Sequence, residues 1–130
     1  VAGQACTGAG GGAMTVAVPV SVRRVAARAL RWRRQFGRGG LSAMQAHEAG
    51  IGSGVVRAQT LARGRVSVDT VRRMAAYFSR HAVDRKAPGF FDEANPSAGR
   101  IAWDLWGGDE GRDFADGVLS VMPRELGGRA

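Results

Sequence analysis

An all-α fold, a small bundle of four to six short helices behind a flexible glycine-rich N-terminal tail, is what this 130-residue sequence predicts. Three observations carry the prediction. Apolar residues recur at helical spacings of three and four in two long segments, residues 21–36 and 67–82. Ser21, Ser42, Ser67 and Ser97 each stand just ahead of a candidate helix, where a hydroxyl can accept from an unpaired first-turn amide. No segment alternates apolar and polar residues over the length of a strand.

The elements follow in order, within a length that suits one domain. Residues 1–20, VAGQACTGAGGGAMTVAVPV, read as the tail. They lack the charged start and continuous apolar run of a signal peptide. Patterned sequence begins just after Met14, which is a candidate start residue beside Val1. The first helix is SVRRVAARALRWRRQF, with Ser21 as its N-cap and Gly37 as its stop. Val22, Val25, Ala29, Trp32 and Phe36 form one stripe, which places Trp32 toward the core. Arg24, Arg28 and Arg31 line another face, flanked by Arg23 and Arg34. Ser42 caps a short helix ending at Ala49, and Gly50, Gly52 and Gly54 break it. Residues 55–62 form another, closed by Gly64.

Ser67 then caps a longer helix. Val71, Met74, Ala75, Phe78 and Ala82 are its apolar stripe, and Arg73, Tyr77 and Arg80 share a more exposed face. Asp69 is placed to pair with Arg73 at i, i+4. Residues 84–96 form a loop with two prolines and the pair Phe90-Phe91. Pro96-Ser97 starts a short helix with Ala98, Ile101, Ala102 and Leu105 on one face and Trp103 and Trp106 flanking it. Gly107-Gly108 ends it, because a helix C-terminus needs residues free to take positive φ. Asp109 caps a last helix over residues 110–122, with Phe114, Val118 and Val121 inward, and the two tryptophans wedge the corner. The helical domain is thus residues 21–123, followed by a flexible end over 124–130.

Charge is unevenly laid out. Nineteen basic residues face eleven acids, for a net charge of +8. Seven arginines and no acid precede Glu48, so the first 47 residues carry nearly all of the excess. A basic half beside a near-neutral half suits a polyanion, either nucleic acid or an acidic protein surface. The single Cys6 excludes an internal disulfide and a cysteine-rich zinc site. No apolar run reaches the ~20 residues that a membrane-crossing helix needs.

Catalytic motifs are not found. His81 and Asp84 lie one helical turn apart, but a metal site wants more ligands, and Asp84 with the helix C-terminus accounts for the histidine. Asp104, Asp109, Glu110, Asp113 and Asp116 lack the spacing of a calcium loop. GAGGGAMT lacks the lysine of a P-loop. The glycine loop FGRGG after the basic helix reads equally as a phosphate cradle or as a solvated helix end. Residues 55–62 leading into 67–80 allow a helix-turn-helix reader with a loose turn.

Three segments carry a family resemblance: LRWRRQFGRGG, then VRAQTLARGRVSVDTVRRMAAYFSRHAVDRKAPGF, then PSAGRIAWDLWGGDEG. Over residues 29–115 they resemble a small domain of tailed phages and prophages. Its signatures are an arginine-rich start, an FxRHxxDK centre and a SAGRIAWxLWGGDxG end. Arg85-Lys86 replaces a single lysine of the centre, and Ala82 stands where an acid is usual. The resemblance implies a phage setting near virion-morphogenesis genes, in the host cytoplasm during infection or in the virion, and no mechanism. The combined expectation is a non-catalytic protein that binds nucleic acid, DNA before RNA. Its binding residues are Arg23, Arg24, Arg28, Arg31, Arg34, Arg38, Arg73 and Arg80. No catalytic residue, metal or cofactor is expected. The alternative is a structural or assembly protein docking on other phage components through an acidic partner face, with Trp106 or Phe90-Phe91 as anchor. A metal-dependent nuclease built on His81 and Asp84 ranks last, for want of a complete catalytic set.

Overall fold

The computed structural model describes residues 14–49 and 52–122, and these carry the expected all-α fold. Among the described residues the helices are α1 (Val20–Phe36), α2 (Ala43–Ala49), α3 (Gly54–Ala62), α4 (Val68–His81), α5 (Ala98–Leu105) and α6 (Gly108–Ser120). A 3-10 turn, Ala82–Lys86, follows α4. The expectations for residues 1–13, Gly50 and 124–130 lie outside the described residues.

Serine hydroxyls start the helices as their positions suggest. Ser67 accepts from the Thr70 amide at 3.0 Å and Ser97 from Arg100 at 3.1 Å. Ser42 accepts from Gln45 while Gln45 Oε1 accepts from the Ser42 amide, a reciprocal capping box. Ser53, which the pattern did not single out, caps α3. Ser21 does not cap α1. That helix begins at Val20 behind Pro19, with no side-chain cap.

The start of α1 shifts because the preceding residues belong to the fold. Strand β1 (Thr15–Ala17) pairs antiparallel with β2 (Arg65–Ser67), Val16 opposite Val66. Val18 is buried and donates to the Gly64 carbonyl at 2.8 Å. Residues 14–20, expected as tail, therefore pin the α3–α4 connection to the entry of α1. Three residues per strand are too few to show alternation. The same ribbon separates α3 from α4, so the two are not joined by the tight turn of a helix-turn-helix.

Val22, Ala26 and Ala29 form the buried seam of α1, which packs on α3, α5 and α6. Val25, Trp32 and Phe36, expected in the stripe, are only half-buried, and Ala26 stands in the seam outside the expected stripe. From α4 the core takes Val71, Met74 and Phe78, as the stripe predicts, and also Tyr77, which was expected outside. Ala82, expected inside, is exposed in the 3-10 turn. Short α5 is buried nearly all round, through Arg100, Ile101, Trp103, Asp104 and Leu105. The tryptophan corner is as expected: Trp103 is 1% and Trp106 7% exposed. Gly107 and Gly108 take φ of 110° and 68°. A Cβ on Gly107 would also sit 2.8 Å from the Gly111 Cα, so glycine is required there twice over. Two details of α6 differ. It starts at Gly108 behind Gly107, leaving Asp109 inside the first turn and not at the N-cap. Val121 lies past the helix end and is exposed.

The FGRGG loop is pressed against α5. A Cβ on Gly39 would stand 2.5 Å from Ile101, and one on Gly40 2.5 Å from Leu105. Close packing therefore explains Gly39 and Gly40 without a phosphate, and the left-handed C-cap of α1 explains Gly37.

Candidate nucleic-acid interface

The seam of α1 fixes which arginines face outward. Opposite Val22, Ala26 and Ala29 lie Arg24, Arg31 and Arg34, all exposed. None of the three has a carboxylate partner among the described residues. At 1.5 Å per residue, Arg24 and Arg31 stand about 10 Å apart along the axis. A depression of about 290 Å³ opens among Arg24, Val25, Ala27, Arg28 and Arg31.

The other candidate arginines are engaged within the fold, with one exception. Arg28 turns to α5, donating to Asp104 Oδ2 at 3.0 Å and lying 3.7 Å from Glu93. It also stacks over Trp32, with its guanidinium carbon 4.3 Å from the ring centre. Arg38 donates to the Pro96 carbonyl from both Nε and Nη2, and to Asn95, so it clamps the entry to α5. Arg73 pairs with Asp69 at 3.0 Å, the predicted i, i+4 bridge. Arg23 is half-buried beside Gly64, its Nε without a partner among the described residues. The exception is Arg80, exposed near the end of α4 with no carboxylate partner among the described residues.

The acids that the sequence offers to a cation are in part held by arginine. Asp104, 2% exposed, accepts from Arg28 and from Arg100 Nε at 3.1 Å. Arg100 also donates to the Phe90 carbonyl and to Glu93. Burial pushes the Asp104 carboxyl up, against the pull of Arg100 and Arg28. Burial works against the Arg100 charge as well, but Asp104 and Glu93 outweigh it and hold the guanidinium above its ordinary value. Asp109 takes both arms of Arg85, at 3.1 and 3.0 Å, and the indole N–H of Trp103 at 2.9 Å. Among the described residues no cluster of three His, Cys, Asp or Glu is arranged to hold a metal. His81 closes α4, its Nδ1 3.1 Å from Asp84 Oδ2.

Asp109 gives a pH prediction. Burial opposes its charge, but hydrogen bonds from Arg85 and Trp103, with the charges of Arg85 and Arg112, hold its carboxyl below the ordinary 3.8. The unfolded chain then takes up this proton at a higher pH than the folded one. The stabilisation is complete above about pH 3.8 and is lost as the pH falls through the lower folded value. The stability gap between wild type and Asp109→Asn should therefore be widest near neutrality and close in acid. Urea unfolding at a series of pH values checks this; a gap constant down to the acid end contradicts it.

Two residues escaped the sequence reading. Arg57 is half-buried over Trp106, 5.2 Å from the ring centre, and donates to Thr70. Burial, with Arg73 nearby, lowers its pKa against the opposing pull of Asp69. Tyr77 lies sandwiched between Trp106 and His81. Of the aromatic anchors considered for docking, Trp106 and Phe90 are buried, and only Phe91 is exposed, at 60%. Among the described residues no helix is long and apolar enough to cross a membrane. No family model matches the chain, and no curated protein or solved structure matches it.

Proposed function

We propose that the protein is a non-catalytic nucleic-acid-binding module of phage or prophage origin, contacting the DNA backbone through the outer face of α1. One observation carries the reading: Arg24, Arg31 and Arg34 stand exposed on a single face with no carboxylate to neutralise them among the described residues. An unpaired row of guanidiniums suits phosphates, which bring charge and paired acceptors but no sequence information. Arg28 borders the same face, yet its ion pair with Asp104 assigns it to α5, so the interface is narrower than the eight arginines named from the sequence.

The test is a salt series of duplex-DNA binding by wild type and by Arg24→Gln, Arg31→Gln, Arg34→Gln combined. Each phosphate no longer neutralised should lower the slope of log affinity against log salt by about one unit, about three in all. Unchanged affinity with an unchanged far-UV spectrum would overturn the reading. If DNA binding fails and a nuclease-treated phage lysate still yields a capsid, portal or protease partner, the docking alternative takes its place.

A further inference from the structure

A cavity of about 570 Å³ opens between α4, α5 and the backbone at Gly40, Leu41, Gly52 and Gly54. Its size is that of a small-molecule site. It shares no residue with the α1 face, and the inference goes beyond the reading given for that face.

An aromatic ladder forms one wall. Tyr77 lies parallel to Trp106, 4.5 Å between centres and 5° between planes, and 4.4 Å from His81 at 27°. Two near-parallel rings at these distances cannot share one face, so both faces of Tyr77 are covered. What Tyr77 offers a ligand is its edge and its hydroxyl. That hydroxyl has no hydrogen-bond partner among the described residues and is not among the fully buried unpaired atoms, so it stays open to the cavity although Tyr77 as a whole is only 6% exposed. Burial, reinforced by Asp84 and Asp104, pushes its pKa well up, so it remains a neutral donor and acceptor. When His81 Nδ1–H donates to Asp84 Oδ2, Nε2 is left without a partner among the described residues. Arg80 lines the same space as an unpaired cation among the described residues, while Leu41, Ala102 and Trp106 supply apolar surface.

This combination selects a ligand class. A wholly apolar ligand would strip water from the Tyr77 hydroxyl and His81 Nε2 and return no hydrogen bond. A polyanion would meet Asp84 beside the single Arg80. A flat ring with hydrogen-bonding edges and one anionic group satisfies every wall. We infer that the cavity is a nucleotide site: the base lies against Leu41, Ala102 and the ladder, its edge reads the Tyr77 hydroxyl and His81 Nε2, and its phosphate meets Arg80. A free nucleotide and a residue of a single strand share that chemistry.

The test is calorimetric titration of the full chain with dAMP, dGMP, dCMP and dTMP, and with a short single-stranded oligonucleotide. At least one mononucleotide, or the oligonucleotide alone if the source is a strand, should bind saturably. Tyr77→Phe keeps the ring and the ladder, and Arg80→Gln alters an exposed side chain, so both variants should melt like wild type. Each should weaken binding about tenfold, the scale of one hydrogen bond to a buried or charged partner. The matching nucleoside, lacking phosphate, should be indifferent to Arg80→Gln. Absence of saturation with every probe overturns the site, and so does binding that neither substitution weakens. The α1 triple variant separates the two readings. Mononucleotide binding should survive it, whatever becomes of duplex binding.

Discussion

Trp103→Ala should cost roughly 3–5 kcal/mol of stability, a large share of the roughly 5–15 kcal/mol typical of a folded domain. The indole is 1% exposed and meets Phe78 edge-on at 4.8 Å and Phe90 edge-on at 6.1 Å. Arg112 stands over its ring, and its N–H is one of the bonds that hold Asp109. Truncation removes the centre of the aromatic cluster and leaves a void bounded by α4, α5 and the 84–96 loop. It also takes a donor from a carboxylate inside the first turn of α6. The Gly107-Gly108 corner resists moving into the space, because the Gly107 carbonyl accepts from the Gly111 amide at 2.8 Å. Urea unfolding measures the loss, and Trp103→Phe, which keeps a ring but not the N–H, should lose less. DNA affinity per folded molecule should be unchanged. A Trp103→Ala protein that melts normally and fails to bind would reverse the assignment and make the tryptophans a binding platform.

How much of this was legible depends on the range of each interaction. The stripe of α4, and Val22 and Ala29 of the stripe of α1, were readable because burial on one helix face repeats every three to four residues. The caps at Ser42, Ser67 and Ser97 were readable because donor and acceptor lie three residues apart. The Gly107-Gly108 corner was readable because positive φ leaves few choices other than glycine. The ribbon was not: its strands are three residues long and their partners lie about fifty positions away. Tyr77 looked exposed beside Arg73 and Arg80; His81, at i+4 on the same helix, covers one face, but nothing local reveals that the distant Trp106 covers the other. The candidate interface divides the same way. Arg24, Arg31 and Arg34 follow from their position opposite the seam. Arg28 and Arg38 are tied to the fold only because Asp104 and the Pro96 carbonyl, 76 and 58 residues distant, accept from them. The Arg100–Asp104 pair did carry a local signal, the same i, i+4 spacing that identified Asp69 with Arg73. It was missed because the aspartate was weighed as a cation ligand among its acidic neighbours.

Asp104→Ala should be nearly as damaging as the loss of Trp103. The Asp104 side chain is 3% exposed and is the shared acceptor of Arg28 and Arg100. Removing it leaves the Arg100 guanidinium, 10% exposed, with Glu93 at the surface and one backbone carbonyl. Deleting one partner of a buried ion pair costs about 3–5 kcal/mol, because the remaining charge stays dehydrated. Stacking of Arg100 near Trp32, Phe90 and Phe91 cushions that loss without replacing the carboxylate. Asp104→Asn can keep its one oxygen where Oδ2 accepts from both Arg28 and Arg100, but it loses the negative charge, so it should fall between wild type and alanine. The discriminating variant is Arg100→Met with Asp104→Leu. An apolar pair of similar volume can match a buried salt bridge, so the double variant should recover much of what Asp104→Ala loses, with only the half-exposed Arg28 left to find water. Chemical unfolding of the three proteins decides the matter. If the double variant is as unstable as Asp104→Ala, the ion pair contributes geometry to α5 that packing alone cannot replace. If Asp104→Ala itself is neutral, the assignment of this network as the electrostatic lock between α1 and α5 is wrong.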